Sequence, residues 1–283
     1  MIPHFSSLTP AFQLHFYLWF KTYRRRSLLI APDAQSLLHQ VLGEVCARQE
    51  YHLLDTDIDK DNVRLLLSLK PVQSVSETVR FLKGNVSRQF GSVLSDQLKA
   101  SDSRSVWAQG YFARSSGKTN LEAARAYVDS QTSHHGYRGN WTKPLNFRNS
   151  NFKSPSFKFD HVVALLDYHL VVATQNRLPL FDETMAPGLF NYMITIGQKH
   201  NFAVDRIGLL PDHMHLIIEA VPSLSVQDCV LAILNNTRHW MTKHYSGALK
   251  QLNAWDVWEP SFYAGTVGEY STAQVREFLR SVG

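Results

Sequence analysis

The chain has 283 residues, 44% of them hydrophobic and 19% charged, with two cysteines and a formal net charge of +5. That length gives a prior of about two domains, each able to bury a core without disulfides or structural metals, and the composition excludes a disordered tail or a fibre. A pI near 9.1 favours a polyanionic partner. Two unpatterned cysteines, no secretion-signal layout over residues 1–10 and no apolar run of membrane-spanning length lead us to expect a cytoplasmic protein without a membrane partner.

In chain order, an apolar strand is predicted over residues 13–23, ending in the cluster Lys21, Arg24, Arg25 and Arg26. A helix over 33–49 and a hairpin of strands 51–58 and 63–69 follow. Ser74 with Glu77 makes a capping box for a second helix, which carries Arg80, Lys83 and Arg88 at near-helical spacing. A strand over 107–114 leads past Gly117 to a last helix, with Thr119 and Glu122 as its capping pair. Residues 132–160 are polar, basic and aromatic and read as a linker. The same order then returns, with a strand over 166–174, a helix over 183–200, strands 202–209 and 213–220, a helix capped by Ser225 and Asp228, and a strand over 258–266.

This is an internal repeat. Residues 51–131 lie over 202–282 without a gap, matching Asp61 with Asp212, Pro71 with Pro222, Ser74 with Ser225, Trp107 with Trp258 and Gly117 with Gly268. The looser start places Tyr17 over Tyr168, Arg26 over Arg177 and Leu29 over Leu180. The fold class is α+β: two ferredoxin-like or RRM-like βαββαβα units with antiparallel sheets, in domains 1–131 and 161–283 joined by linker 132–160.

In Pro211-Asp212-His213-Met214-His215, two histidines at i and i+2 share one face of a strand, where two imidazoles can hold a divalent metal. Packed or surface histidines give the same pattern. Tyr127 and Gln131, four apart, share a face of the last helix of the first copy at the margin of a stripe of Leu121, Ala124 and Val128. A half-buried structural tyrosine reads the same way. The repeat changes the weighing, because His213 and His215 correspond to Asn62 and Arg64, whereas Tyr127 and Gln131 correspond to Phe278 and Val282. The losses are complementary.

These residues resemble the HUH (histidine-hydrophobic-histidine) single-strand DNA transposases of the TnpA type, including the REP-associated tyrosine transposases. Tyr168-His169-Leu170-Val171 resembles the opening strand, the histidine motif the metal site, residues 81–88 the following helix, residues 107–112 the next strand and residues 126–131 the nucleophile helix. The resemblance implies two HUH domains fused as a pseudo-twofold dimer with one composite site: Tyr127 as nucleophile, and His213, His215 and Gln131 as ligands of Mg²⁺ or Mn²⁺. The mirror site of Asn62, Arg64, Phe278 and Val282 would be degenerate. Leu234 and Asn235, where the first copy has Lys83 and Gly84, depart from the first copy's pattern.

The implied reaction cleaves and rejoins single-stranded DNA, with hairpins at element ends as partner, through a 5′-phosphotyrosine. Arg24, Arg25, Arg26, Arg80, Lys83 and Arg88 are the candidate DNA contacts, solvated surface being the plainer alternative. One site per chain requires either that the tyrosine be reset between steps or that a second copy of the chain pair with it. The alternative is an inactive hairpin-binding descendant of such an enzyme. Asp55, Asp57, Asp59 and Asp61 mimic a calcium loop, but Lys60 stands where its glycine belongs. His134, His135 and Tyr137 read as linker, and Trp107 and Trp258 as core residues before base-stacking ones.

Overall fold

The computed structural model describes residues 4–93, 105–130, 145–152, 157–159 and 161–268. The first half runs β1 (Thr9–Gln13), β2 (His15–Lys21), α1 (Pro32–Arg48), β3 (His52–Asp59), β4 (Asn62–Ser68), α2 (Val75–Val93), β5 (Tyr111–Ser116) and α3 (Leu121–Asp129). After β6 (Leu145–Arg148) and β7 (Phe157–Phe159), the second half begins with β8 (Val162–Leu165), β9 (Asp167–Ala173), α4 (Ala186–His200) and β10 (Phe202–Leu210). It continues with β11 (His213–Ala220), α5 (Val226–His244), the short α6 (Ser246–Gln251) and β12 (Ser261–Val267).

Two six-stranded sheets result, β3-β4-β2-β5-β8-β7 and β1-β12-β9-β11-β10-β6. Alternation assigns their faces. Tyr168, Leu170 and Val172 of β9 and Met214, Leu216 and Ile218 of β11 join Met193 and Ile196 of α4 and Val230 and Ile233 of α5 in the core. Phe16, Leu18, Leu65 and Leu67 meet Leu38, Leu42, Leu82 and Val86 in the same way. Burial of each such side chain contributes about 1.5–3 kcal/mol before the entropy of ordering it. That leaves the opposite face of each sheet for chemistry.

Three expectations are corrected. The opening strand is two strands, broken at buried Leu14, and β1 pairs in parallel with β12 of the other half. Likewise β8 pairs in parallel with β5, so each sheet is antiparallel except where the exchanged strand joins it. The segment read as a linker contributes β6, antiparallel to β10, and β7, antiparallel to β8. Finally, Thr22 bridges Trp107 as Thr174 bridges Trp258, which sets the early strands 152 positions apart and their partners 151. Tyr17 therefore matches His169, not Tyr168, and Arg25, not Arg26, matches Arg177; Leu29 matches Phe181, not Leu180. The first half carries one more residue between Leu29 and Glu50 than the second does between Phe181 and Asn201, where the repeat's spacing changes.

The halves meet through reciprocal contacts. Ser76 N–H donates to Pro222 O at 2.9 Å and Gln227 N–H to Pro71 O at 3.0 Å, so the repeated prolines stand at equivalent contacts between the halves. Ser115 Oγ donates to Val267 O at 2.6 Å and Thr266 Oγ1 to Ser116 O at 2.5 Å where β5 and β12 cross. A side chain at Gly117 would overlap Thr266 O and one at Gly268 would overlap Ser115 O, so the repeated glycines permit this crossing. Among the described residues no helix is long and apolar enough to cross a membrane.

Candidate active site

On the open face of the second sheet, the register sets Asp167, His169, Val171 and Ala173 of β9 beside Glu219, Ile217, His215 and His213 of β11. Across this face lies α3, a helix of the first half. Its Ala124 and Val128, with Leu121, pack on Ile217 and Val267. Arg125 pairs with Asp205 at 2.6 Å, and Asp129 accepts from Arg148 at 2.7 Å and from Arg206. The cap of α3 is Asn120, whose side chain accepts from Ala123 N–H at 2.8 Å, and not Thr119 as expected. Thr119 instead gives its carbonyl to Gly268 N–H at 3.1 Å, which ties the helix entry to the other half.

This docking brings the tyrosine to the histidines. The Tyr127 ring stands edge-on at 5.8 Å from both His169 and His215 and remains 41% exposed, so its hydroxyl is within reach of a ligand. His213 and His215 are 2% and 5% exposed, with ring centroids 5.1 Å apart. His213 Nδ1 lies 2.7 Å from Asp212 Oδ1, and Asp212 is held by Arg177 at 2.8 Å. His215 Nδ1 lies 3.0 Å from His169 Nε2, the two rings being stacked. Both histidines are thus engaged at Nδ1, the arrangement in which a second group fixes the ring and leaves Nε2 as a ligand atom.

His169 was missed as a site residue, because its partnership depends on the register between β9 and β11, which no spacing in the sequence discloses. Burial pushes its pKa down to about 4, so it is a neutral imidazole at neutral pH. Gln131 lies outside the described residues. Among the described residues, no group of three or more His, Cys, Asp or Glu side chains is arranged to hold a metal. Two imidazoles engaged at Nδ1 are of the donor type that divalent transition ions accept.

The mirror face of the first sheet is built differently. Asn62 accepts from Trp19 Nε1 at 3.1 Å and donates to Asp61 at 2.8 Å, and Arg64 pairs with Asp57 at 2.7 Å. Tyr17 stands at the position of His169. The Arg25–Asp61 pair at 3.0 Å repeats Arg177–Asp212, so the support for the first histidine persists where the histidine does not. Phe278 and Val282 lie outside the described residues, as do His134, His135 and Tyr137.

The candidate DNA contacts separate into two groups. Arg26 donates to Tyr23 O and Ser105 O, and the Lys83 ammonium donates to the carbonyls of Ala108, Gln109 and Gly110 at 2.5, 3.2 and 3.0 Å, pinning the approach to β5. Arg24 and Arg88 are exposed, Arg80 forms an exposed pair with Glu77, and Arg25 reaches Asp61 from a largely exposed position. Trp107 and Trp258 are buried; Trp258 donates to Thr237 at 2.9 Å and Trp107 meets Phe20 edge-on.

A cavity of about 270 Å³ beside Tyr127 is lined by His169, Tyr263, Lys118 and Thr266 among others. On the same sheet face, burial raises the Asp167 carboxyl to about 6, an effect that Arg125 and Arg114 oppose and Asp205 reinforces. A carboxyl with its folded pKa above the unfolded 3.8 binds protons more tightly when folded, so its contribution to stability falls as pH rises from 3.8 through 6. Asp167→Asn is therefore expected to stabilise the protein by about 1–3 kcal/mol at pH 7 and to lose that advantage near pH 4. Urea unfolding at both pH values checks this.

A family model described as Transposase IS200 like matches residues 10–131 and again 162–281. The ISDra2 transposase TnpA of Deinococcus radiodurans is 28% identical over 116 residues, 41% of this chain and 83% of that protein. Among solved structures, a putative transposase from Deinococcus radiodurans R1 is 20% identical with a TM-score of 0.35, covering 47% of this chain and 97% of that one. A REP-associated tyrosine transposase bound to a REP hairpin is 16% identical with a TM-score of 0.26, covering 47% and 66%.

Proposed function

The chain belongs to the IS200-like transposase family, and from that premise we propose that it cleaves and rejoins single-stranded DNA at one composite site formed by Tyr127 of the first half with His213 and His215 of the second. The observation that carries this reading is the docking of α3 on the other half's histidine-bearing sheet face, with Tyr127 edge-on to His215. A helix held only for packing has no need to present its one large aromatic at that margin.

In this mechanism the Tyr127 oxygen attacks a backbone phosphorus, the P–O3′ bond breaks, and the strand's 5′-phosphate stays on the tyrosine. The phenol proton passes to solvent, and the departing 3′-oxygen leaves as a hydroxyl. Attack by that or another 3′-hydroxyl reverses the step and rejoins the strand. His213 and His215 would hold Mg²⁺ or Mn²⁺ through Nε2, with Gln131 as a third ligand. When bound, the ion supplies a positive charge that polarises the phosphate and stabilises the leaving oxygen. Asp212 and His169 are positioning residues: each engages an Nδ1 and fixes its partner's ring.

The proposed substrate is single-stranded DNA with hairpins at element ends, and the fused halves act as a dimer in one chain. Incubation of wild-type protein with an end-labelled hairpin carrying single-stranded flanks, with Mn²⁺ or Mg²⁺, is expected to give a covalent adduct on denaturing electrophoresis. EDTA should abolish it. DNA binding without adduct under any such condition leaves a binding-only protein instead.

A further inference from the structure

The two halves also diverge at four positions on the strands and turns that flank the histidines in one half and Asn62 and Arg64 in the other. In the matched frame of β2 and β9, Trp19 stands where Val171 does, Lys21 where Ala173 does, Tyr23 where Gln175 does and Arg24 where Asn176 does. Four uncharged, non-aromatic residues of the histidine-bearing half are two aromatics and two cations in the half that lacks the histidines. All four line one cleft of about 770 Å³, with Trp107 and Tyr111 in its wall. That volume is in the range of about 300–1,000 Å³ typical of small-ligand sites.

The chemistry of the cleft is specific. The Lys21 ammonium lies 4.2 Å from the Trp19 ring centroid, and the Arg24 guanidinium 5.2 Å from that of Tyr23, so positive charge sits against each aromatic. Arg24 has φ 54 where Asn176 has φ 51. Asparagine suits that left-handed conformation better than arginine does, so the cation is kept there at some conformational cost. A hydrophobic core would not gather cations, and a solvated basic surface would not gather half-buried aromatic rings around a cavity.

We propose that this cleft binds an unpaired nucleotide of the substrate strand, with its base against the aromatic walls and flanking phosphates at Lys21 and Arg24. The proposal rests on the single-stranded DNA reading above and adds a holding subsite on the half that has lost its histidines. Flat apolar rings select an unstacked base, because a base inside a duplex has both faces covered, and the two cations match the phosphates on either side. Every base has a π face, so the subsite discriminates strandedness more than sequence.

The test exchanges the residues for those the other half carries on the same backbone frame: Trp19→Val, Lys21→Ala, Tyr23→Gln and Arg24→Asn in the full chain. Anisotropy of a labelled single-stranded DNA in EDTA reads binding without cleavage. The fourfold variant is expected to bind at least about ten-fold more weakly, with the slope of log affinity against log salt shallower by about 1.4 for two phosphates. Trp19→Val with Tyr23→Gln alone should lose affinity by roughly ten-fold with the salt slope unchanged. Thermal melting verifies folding, and Tyr23→Gln alone serves if the larger changes melt early. Affinity within two-fold of wild type for the aromatic pair, or an equal loss for duplex DNA, overturns the proposal. Adduct formation with unchanged affinity removes the cleft and keeps the cleavage reading; weakened binding without any wild-type adduct does the reverse.

Discussion

A mixture of Tyr127→Phe and His213→Ala chains is expected to form no more covalent DNA adduct than either variant alone. On the proposed mechanism each substitution removes a different essential part, and loss of a nucleophile or of a metal ligand lowers cleavage by on the order of 10⁴-fold or more. In a dimer of identical chains that shared helices, random mixing would restore one intact site in half the dimers, and roughly a quarter of the activity would return. Here Tyr127 and His213 belong to one chain and meet through the packing of α3 on Ile217 and Val267, so mixing has nothing to restore. Recovery to a quarter would show that α3 docks on a neighbouring chain in solution. Adduct formation by Tyr127→Phe itself would mean that another residue attacks.

Detaching the helix should be nearly as damaging as removing the tyrosine. Val128 is fully buried between α3 and the sheet, so Val128→Asp places an unpaired carboxylate in an apolar contact at a cost of several kcal/mol. The helix is nine residues long, too short to persist without its packing. Hydrogen exchange is expected to accelerate by at least about 100-fold over residues 121–129 while β9 and β11 remain protected, and adduct formation should fall by about 10³-fold because positioning is lost. Protection that disappears equally across both sheets would mean instead that α3 is part of the global fold rather than a docked element.

Much of this architecture was legible because the chain says it twice. Spacing of 151 fixed the hairpins and aligned Asn62 with His213 and Arg64 with His215, and period two put both histidines on one face without any knowledge of their neighbours. Three things were not legible. The exchanged strand β1 is mostly exposed and held by ladder hydrogen bonds, so it carries no alternation of apolar residues to reveal it. The one-residue difference, which falls between Leu29 and Leu38 at the entry to α1, misaligned Tyr17, since Leu38, Leu42 and Val45 keep the spacing of 151 to Leu189, Met193 and Ile196 and give no sign of it. His169 faces His215 through strand pairing, a relation between segments 46 residues apart that local sequence cannot encode.

The exchange of β1 and β8 carries a consequence for how the molecule can change. Each sheet borrows a strand from the opposite half, so removing the half that lacks the paired histidines would leave the other with an unpaired edge next to β12, the kind of open ladder that invites aggregation. A lineage can therefore let the chemistry of one half lapse while it remains bound to keep that half folded. Once fused, the two faces are also released from changing in step: a substitution in one need not appear in the other. A substrate held across both would need no twofold relation of its own.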